Sequence, residues 1–135
     1  INIVDLAGNL TWVETAGMQF PTLLLDGLTV TGHDCRTDQT HPTWNELCPG
    51  NRDNVSNSEF SVSGLPGAEV GIQLDITPQI KEGIQFGAFH TANSLILDAT
   101  GDATHSVAGK LVLVDRSAIV NNSITFTFDL EFTAQ

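Results

Sequence analysis

The chain has 135 residues, enough for one domain with its own core, and 41% of them are hydrophobic, which excludes a disordered segment. Sixteen acidic residues against five basic ones give a formal net charge of −11, so the chain repels nucleic-acid phosphates and anionic lipid. No apolar run approaches the roughly 20 residues of a membrane-spanning helix. We therefore predict a single domain over residues 1–135, with no nucleic-acid partner and no membrane span.

The N-terminal residues alternate between apolar and polar side chains, as a strand with one buried face does. The apolar positions, which include one glycine, are Val4, Leu6, Gly8, Leu10 and Trp12. The chain starts at Ile1, without an initiator methionine or a cationic leader. These features predict an N-terminal strand and a mature secreted product whose signal peptide has been removed.

Further strand candidates follow at short intervals, separated by glycine, proline and asparagine turn signals. They are residues 23–31, 60–64, 69–77, 84–89, 94–97, 106–107 and 111–114. The clearest candidate is 123–133, whose alternate apolar residues are Ile124, Phe126, Phe128, Leu130 and Phe132. About seven to nine short strands without helical periodicity predict an all-β fold, an immunoglobulin-like antiparallel β-sandwich.

One long polar stretch, residues 32–58, interrupts the strands and contains both cysteines, Cys35 and Cys48. Cysteines that close a short loop favour a disulfide made in an oxidising compartment, worth about 3 kcal/mol in the chain-entropy model. Two free thiols are the alternative, and a segment this polar is not expected to bury them in the core. Trp44 and His41 lie in the same loop, where a stiffened aromatic side chain favours a sugar or protein contact. The alternative places Trp44 over the core as a lid.

The sequence carries no recognisable catalytic arrangement. No serine lies in a Gly-x-Ser-x-Gly elbow, and the chain has no tyrosine. His90 and His105 lack metal-ligand spacing and are predicted to be surface or strand-edge residues. Weak ligand patterns stay open, for zinc or copper at His33, Asp34, Asp38 and His41, and for calcium at Asn51, Asp53, Asn54 and Glu59. We predict no enzyme activity, no catalytic residue, no cofactor and no assigned metal site.

Three segments carry strand and turn signatures in a specific order. They are Leu10-Thr11-Trp12-Val13 followed by Gly17-Met18-Gln19-Phe20, then residues 60–72 with the turn Leu65-Pro66-Gly67, then residues 106–113 with the step Gly109-Lys110-Leu111. In this order they resemble a bacterial family of secreted immunoglobulin-like domains that includes pilin-like, fimbrial-type subunits. The resemblance covers most of the chain outside residues 32–58. Pro21, where the family usually has glycine, and the cysteine-bearing insertion depart from the pattern.

The resemblance implies a structural subunit of a surface filament, a pilus or fimbria, in which the N-terminal segment of one subunit completes the sandwich of the next. The donor and assembly residues would be Val4, Leu6, Gly8, Leu10 and Trp12. Residues 1–9 would form the donor itself, since residues 10–13 align with the family's first strand. The implied partners are copies of the chain, a periplasmic chaperone and an outer-membrane assembly protein.

Two alternatives stay open. Residues 1–9 either are donated to a neighbour or fold as the first strand of their own chain. The function is either that of a filament subunit or that of a surface adhesin or carbohydrate-binding module that uses the Cys35–Cys48 loop.

Overall fold

The computed structural model describes residues 10–38, 46–48, 55–121 and 123–135. Nine strands account for almost all of its regular structure. They are β1 Thr11–Ala16, β2 Asp34–Arg36, β3 Ser58–Ser63, β4 Glu69–Leu74, β5 Gln79–Lys81, β6 Ile84–Phe89, β7 Ser94–Ile96, β8 Asp102–Leu113 and β9 Leu130–Ala134. One 3₁₀ turn, Arg116–Ala118, follows β8 and is capped by the Asp115 side chain. None of the helical structure among these residues is long and apolar enough to cross a membrane.

The strands form two antiparallel sheets in a sandwich-like arrangement, which confirms the predicted all-β, immunoglobulin-like fold. The first sheet has the order β1-β3-β8-β6-β5, with β2 also paired to β8, and the second has the order β7-β4-β9. Strand β8 organises the first sheet because it is long enough for three partners. Its first half pairs with β3, and its second half pairs with β2 on the same side and β6 on the other.

Strand β8 joins two of the predicted strands, 106–107 and 111–114, which the sequence separates at Gly109. A Cβ atom built at Gly109 would lie 2.4 Å from Met18 Sδ and 2.9 Å from Phe20 Cζ. Glycine is needed here because these two side chains pack directly on the strand. Gly109 therefore allows close packing inside a continuous strand and does not mark a turn.

The core lies between the two sheets. Its buried apolar side chains include Val62 and Phe60 from β3, Val70 from β4, Phe86 from β6 and Leu113 from β8. Cys35, Leu47 and Cys48 have no exposed surface and belong to this core. The expectation that the loop is too polar to bury its cysteines is therefore wrong. In the sequence, Leu47 and Cys48 form a short apolar segment within the polar stretch, and a disulfide has no charge to solvate.

Two predicted strands differ from the structure. Residues 23–31 are in no strand, and of residues 123–133 only the part from Leu130 onward is in β9. Residues 123–130 alternate between exposed and partly buried side chains as predicted, whereas residues 26–28 of the other segment are all exposed. A strand needs a neighbour for backbone pairing, and residues 23–25 and 124–128 border an open groove.

Candidate functional site

An apolar groove of about 610 Å³ opens along one side of the sandwich, between the two incompletely paired segments. Side chains from residues 18–25 line one side, which we call the N-terminal wall, and side chains from residues 119–121 and 123–128 line the other, which we call the C-terminal wall. Ile84 and Phe86 of β6 and Leu111 of β8 form the floor. The groove is large enough for several side chains and is lined mainly by aliphatic and aromatic groups.

The C-terminal wall has the geometry of a strand with one free edge. Its apolar side chains, Ile124, Phe126 and Phe128, are partly buried, and the threonines between them are exposed. The Asp129 carbonyl accepts the Asp75 N–H at 3.0 Å, which extends the β4–β9 ladder by one step. Since successive residues of a strand direct their backbone groups to opposite edges, residues 124, 126 and 128 direct theirs toward the groove.

No backbone hydrogen bond within the described part of the chain reaches residues 124, 126 or 128. Unpaired amide and carbonyl groups along an apolar edge are the usual template for adding another strand.

Among the described residues, the N-terminal wall makes backbone hydrogen bonds at two places. Gln19 exchanges two backbone hydrogen bonds with Ser56, at 2.9 and 3.1 Å, and the Leu24 N–H donates to the Leu47 carbonyl at 2.9 Å. Pro21 lies between these points and has no N–H to donate. Leu23 and Leu25 flank Leu24 and face the groove. This wall therefore also has an edge that the described residues leave open.

Aromatic side chains join both walls to the floor. The Phe86 ring stacks on Phe126 of the C-terminal wall, with centroids 5.3 Å apart and planes 23° apart. The Phe20 ring of the N-terminal wall meets Phe86 edge-on at 6.2 Å. These contacts anchor the base of each wall, so the groove has a defined shape.

Away from the groove, the Trp12 ring of β1 lies 5.5 Å from the Phe132 ring of β9, and Trp12 is 44% exposed. Leu10 also packs against the core of its own chain. The structure thus places Leu10 and Trp12 in the sandwich itself, at the start of β1, whereas Val4, Leu6 and Gly8 lie outside the described residues.

The Cys35–Cys48 disulfide predicted from the sequence is present and lies behind the N-terminal wall. Its Cα atoms are 5.5 Å apart, and it closes a loop with a sequence separation of 13. The Leu47 N–H donates to the Asp34 carbonyl of β2, and the Leu47 carbonyl accepts from Leu24. The disulfide therefore belongs to a connected layer that runs from β8 through β2 and residues 46–48 to the wall. His41 and Trp44, the predicted ligand contacts, lie outside the described residues, so the adhesin hypothesis stays a prediction.

The weak metal patterns of the sequence do not converge in the part of the chain that the structure covers. There, no group of three or more histidine, cysteine or carboxylate side chains is arranged to hold a metal ion. Asp38 instead pairs with Arg36 at 3.0 Å, and Asp34 lies 3.6 Å from Lys110. Glu59 accepts a hydrogen bond from Ser106 at 2.8 Å. His41, Asn51, Asp53 and Asn54 lie outside the described residues.

Comparisons with family models, curated proteins and solved structures give no match to this chain. The pilin-like resemblance therefore depends on the three sequence segments alone, and the groove is an observation independent of it.

A histidine pair that the sequence does not predict lies at the core. His90 Nδ1 lies 3.0 Å from His105 Nε2, and His105 is 5% exposed, beside the Phe132 ring. The prediction that His105 is a surface or edge residue is therefore wrong. The sequence did contain a signal, because His105 shares its strand face with Ala103 and the buried Val107.

Acidification is expected to destabilise the fold through this pair. Burial lowers the pKa of both imidazoles from the ordinary value of 6.5; the charge of His90 lowers that of His105 further, and Glu59 partly opposes this. Because the folded chain binds these protons less readily than the unfolded chain, their stabilising contribution is complete above pH 6.5 and is lost as pH falls below it.

The measurement is urea unfolding between pH 7.5 and 5 for the wild type and His90→Gln. We expect the variant to show a shallower decline of unfolding free energy, since one of the two titrating groups is gone. Equal slopes for the two proteins would show that the pair does not contribute.

Proposed function

We propose that this chain is a structural subunit of a bacterial extracellular filament, in which residues 1–9 of one copy fill the groove of the next. The observation that supports this most strongly is the groove itself. It is an apolar opening in a sandwich, and both segments that border it, residues 18–25 and 123–128, have backbone groups that no backbone hydrogen bond from the described residues reaches. A sandwich that lacks one strand has such an apolar opening between unpaired backbone edges, and a donated strand would fill the opening and pair with the edges.

Addition of a strand would supply partners for the unpaired backbone groups of the walls and for the apolar side chains of the groove floor. The donated backbone pairs with the edges of the walls, and its alternate side chains fill the space above Phe86 and Leu111. Main-chain hydrogen bonds then provide continuity, and the apolar side chains provide most of the binding free energy.

The N-terminal segment has the side-chain pattern that such a groove requires. Val4 and Leu6 are on one face, and Asp5 is on the other together with Ile1, Ile3 and Ala7. The orientation that buries Val4 and Leu6 therefore leaves the carboxylate in water. A shift of one residue would bury the Asp5 carboxylate instead. Because burying an unpaired carboxylate is costly, the register that buries Val4 and Leu6 is strongly favoured.

Length supports donation between chains over insertion into the same chain. Thr11 is level with Ser63 and Asp102, whereas the groove floor includes Leu111, nine residues further along β8. At the rise of a strand this separation is about 30 Å, which is also the full reach of nine extended residues. A segment of nine residues that ends just before Leu10 therefore has no length left to lie along the groove of its own chain.

A contact of this kind joins different surfaces of the two copies, so it leaves a free donor at one end and a free groove at the other. Repetition gives an open chain of subunits, which is the form of a filament. An unfilled groove also exposes apolar edge before assembly, and a periplasmic chaperone together with an outer-membrane assembly protein would cover it. The disulfide fits folding in an oxidising compartment and hence secretion.

The test compares the full chain with a chain that lacks residues 1–9. We expect the full chain to form a ladder of oligomers by size-exclusion chromatography and rods by electron microscopy, and the truncated chain to stay monomeric. A fluorescent peptide of residues 1–9 should bind the truncated chain with 1:1 stoichiometry. A peptide of the same composition in scrambled order is the control. A monomeric full chain together with an unbound peptide would contradict the proposal.

A further inference from the structure

The C-terminal wall is held from behind by side chains of β5. Lys81 Nζ donates to the Thr125 carbonyl at 2.7 Å, and Gln79 Nε2 donates to the Thr127 carbonyl. The Lys81 ammonium also lies 5.5 Å from the centre of the Phe126 ring. Alternate residues of β5 thus contact alternate carbonyls of the wall, on the edge opposite to the groove.

These side-chain hydrogen bonds continue the line of the β4–β9 ladder beyond the point where its backbone pairing ends. The β4–β9 pairing ends at Leu74 and Leu130, with one more bond from Asp75 to Asp129. Strand β5 belongs to the first sheet, where it pairs with β6, so its backbone is not part of that ladder. Its side chains satisfy the next two outward carbonyls, and the spacing of two residues matches an extended strand.

The start of the same wall is held by the residue that follows β5. The Glu82 carboxylate accepts from the Asn121 N–H at 3.0 Å, from the Asn121 side-chain amide at 2.9 Å and from the Val120 N–H at 3.3 Å. Five positions along the C-terminal wall and its continuation into β9 therefore have partners, namely Val120, Asn121, Thr125, Thr127 and Asp129. No backbone hydrogen bond from the described residues reaches residues 124, 126 or 128 on the groove side.

We propose that Gln79 and Lys81 are positioning residues, which hold the C-terminal wall extended so that it is ready to accept a strand. This inference rests on the proposed function, because it concerns the same groove. Without the two bonds, the unpaired wall would sample other conformations and would have to be ordered at the moment of binding. Ordering before binding removes that cost from the binding step, so the two side chains raise the affinity for the donor without touching it.

Three substitutions with the same charge change separate this role from electrostatics. Gln79→Glu keeps the side-chain shape but replaces the donating amide with a carboxylate, and Lys81→Met keeps the apolar stem without a donor. Ile80→Glu is the matched control, since Ile80 lies between them, is 62% exposed and makes no such bond. Lys81→Arg retains a donor and tests rescue.

In the truncated chain, we expect Gln79→Glu and Lys81→Met each to weaken binding of the 1–9 peptide about fivefold to tenfold. Ile80→Glu and Lys81→Arg should stay within about twofold of the wild type. Wild-type affinity in both donor-removing variants would overturn the positioning role and leave the proposed function intact.

A second measurement does not depend on binding. Backbone ¹⁵N relaxation of the free truncated chain should show lower order parameters for residues 123–129 in the two donor-removing variants than in Ile80→Glu. If the peptide fails to bind even the wild type but this difference appears, the proposed function fails while the restraint on the wall stands. Unchanged order parameters would overturn the inference.

Discussion

A Leu6→Asp substitution is expected to stop assembly and to weaken binding of the 1–9 segment by about 100-fold or more. Burial of a leucine side chain contributes roughly 1.5–3 kcal/mol, and a carboxylate in the apolar groove adds a desolvation cost with no cation on the groove floor to offset it. The residue lies in the donor, outside the described sandwich, so the fold of the accepting subunit should be unaffected. Chromatographic size and peptide titration measure the two effects.

Ala7→Asp is the matched control for this prediction. It adds the same charge one position along the donor, on the face that alternation directs to water. Since each subunit already carries a net charge of −11, both variants raise repulsion between copies equally, and only one places its carboxylate in the groove. We expect Ala7→Asp to assemble and to bind within a few-fold of the wild type. Equal impairment of the two variants would mean that the donor does not bind through alternate side chains.

Loss of the disulfide is expected to have the largest effect on stability. Replacing Cys35 and Cys48 with alanine frees a loop whose ends are 13 residues apart, which costs about 3 kcal/mol of unfolding free energy in the chain-entropy model. Both side chains are fully buried, so the vacated space adds a packing loss. The melting temperature should fall by roughly 10 °C or more.

The same double variant should also weaken the groove. The disulfide holds residues 46–48 beside β2, and the Leu47 carbonyl accepts the Leu24 N–H of the N-terminal wall. We therefore expect weaker binding of the 1–9 peptide at a temperature where the variant is still folded. Urea and thermal unfolding measure the stability, and added reductant should leave the double variant unchanged. A loss of less than about 1 kcal/mol would contradict this account of the loop.

Local pattern was sufficient to predict most of the strands. Strand β6 occupies the predicted residues 84–89. Strand β3 begins two residues before the predicted range 60–64 and ends one residue before its end, and β4 begins at the predicted residue 69 but ends three residues before 77. Their alternating residues face the core because a strand repeats every two residues, a period that can be read from neighbouring positions alone. The two cysteines that close a short loop favour a disulfide, which the structure confirms, but its burial is not predicted, because burial depends on what packs around the loop.

The groove could be predicted only in part. Alternation along residues 123–128 identified the inward-facing side chains, and the pilin-like resemblance implied an incomplete sandwich. Strand propensity still predicts a full strand over those residues, because propensity does not report whether a neighbouring strand is present. His105 shows the same limit, because its partner His90 is 15 residues away and reaches it only through the pairing of β6 with β8.

By itself, the amino-acid sequence determined which segments are extended and which face of each is apolar, because both depend on side chains two positions apart. Only the tertiary structure decided that residues 18–25 and 123–128 border one opening, and that Gln79 and Lys81 contact the outer edge of the second segment. Hydrogen bonding between strands joins residues that are far apart in the chain. An unpaired strand edge can therefore be identified only when the pairing of the other strands is known.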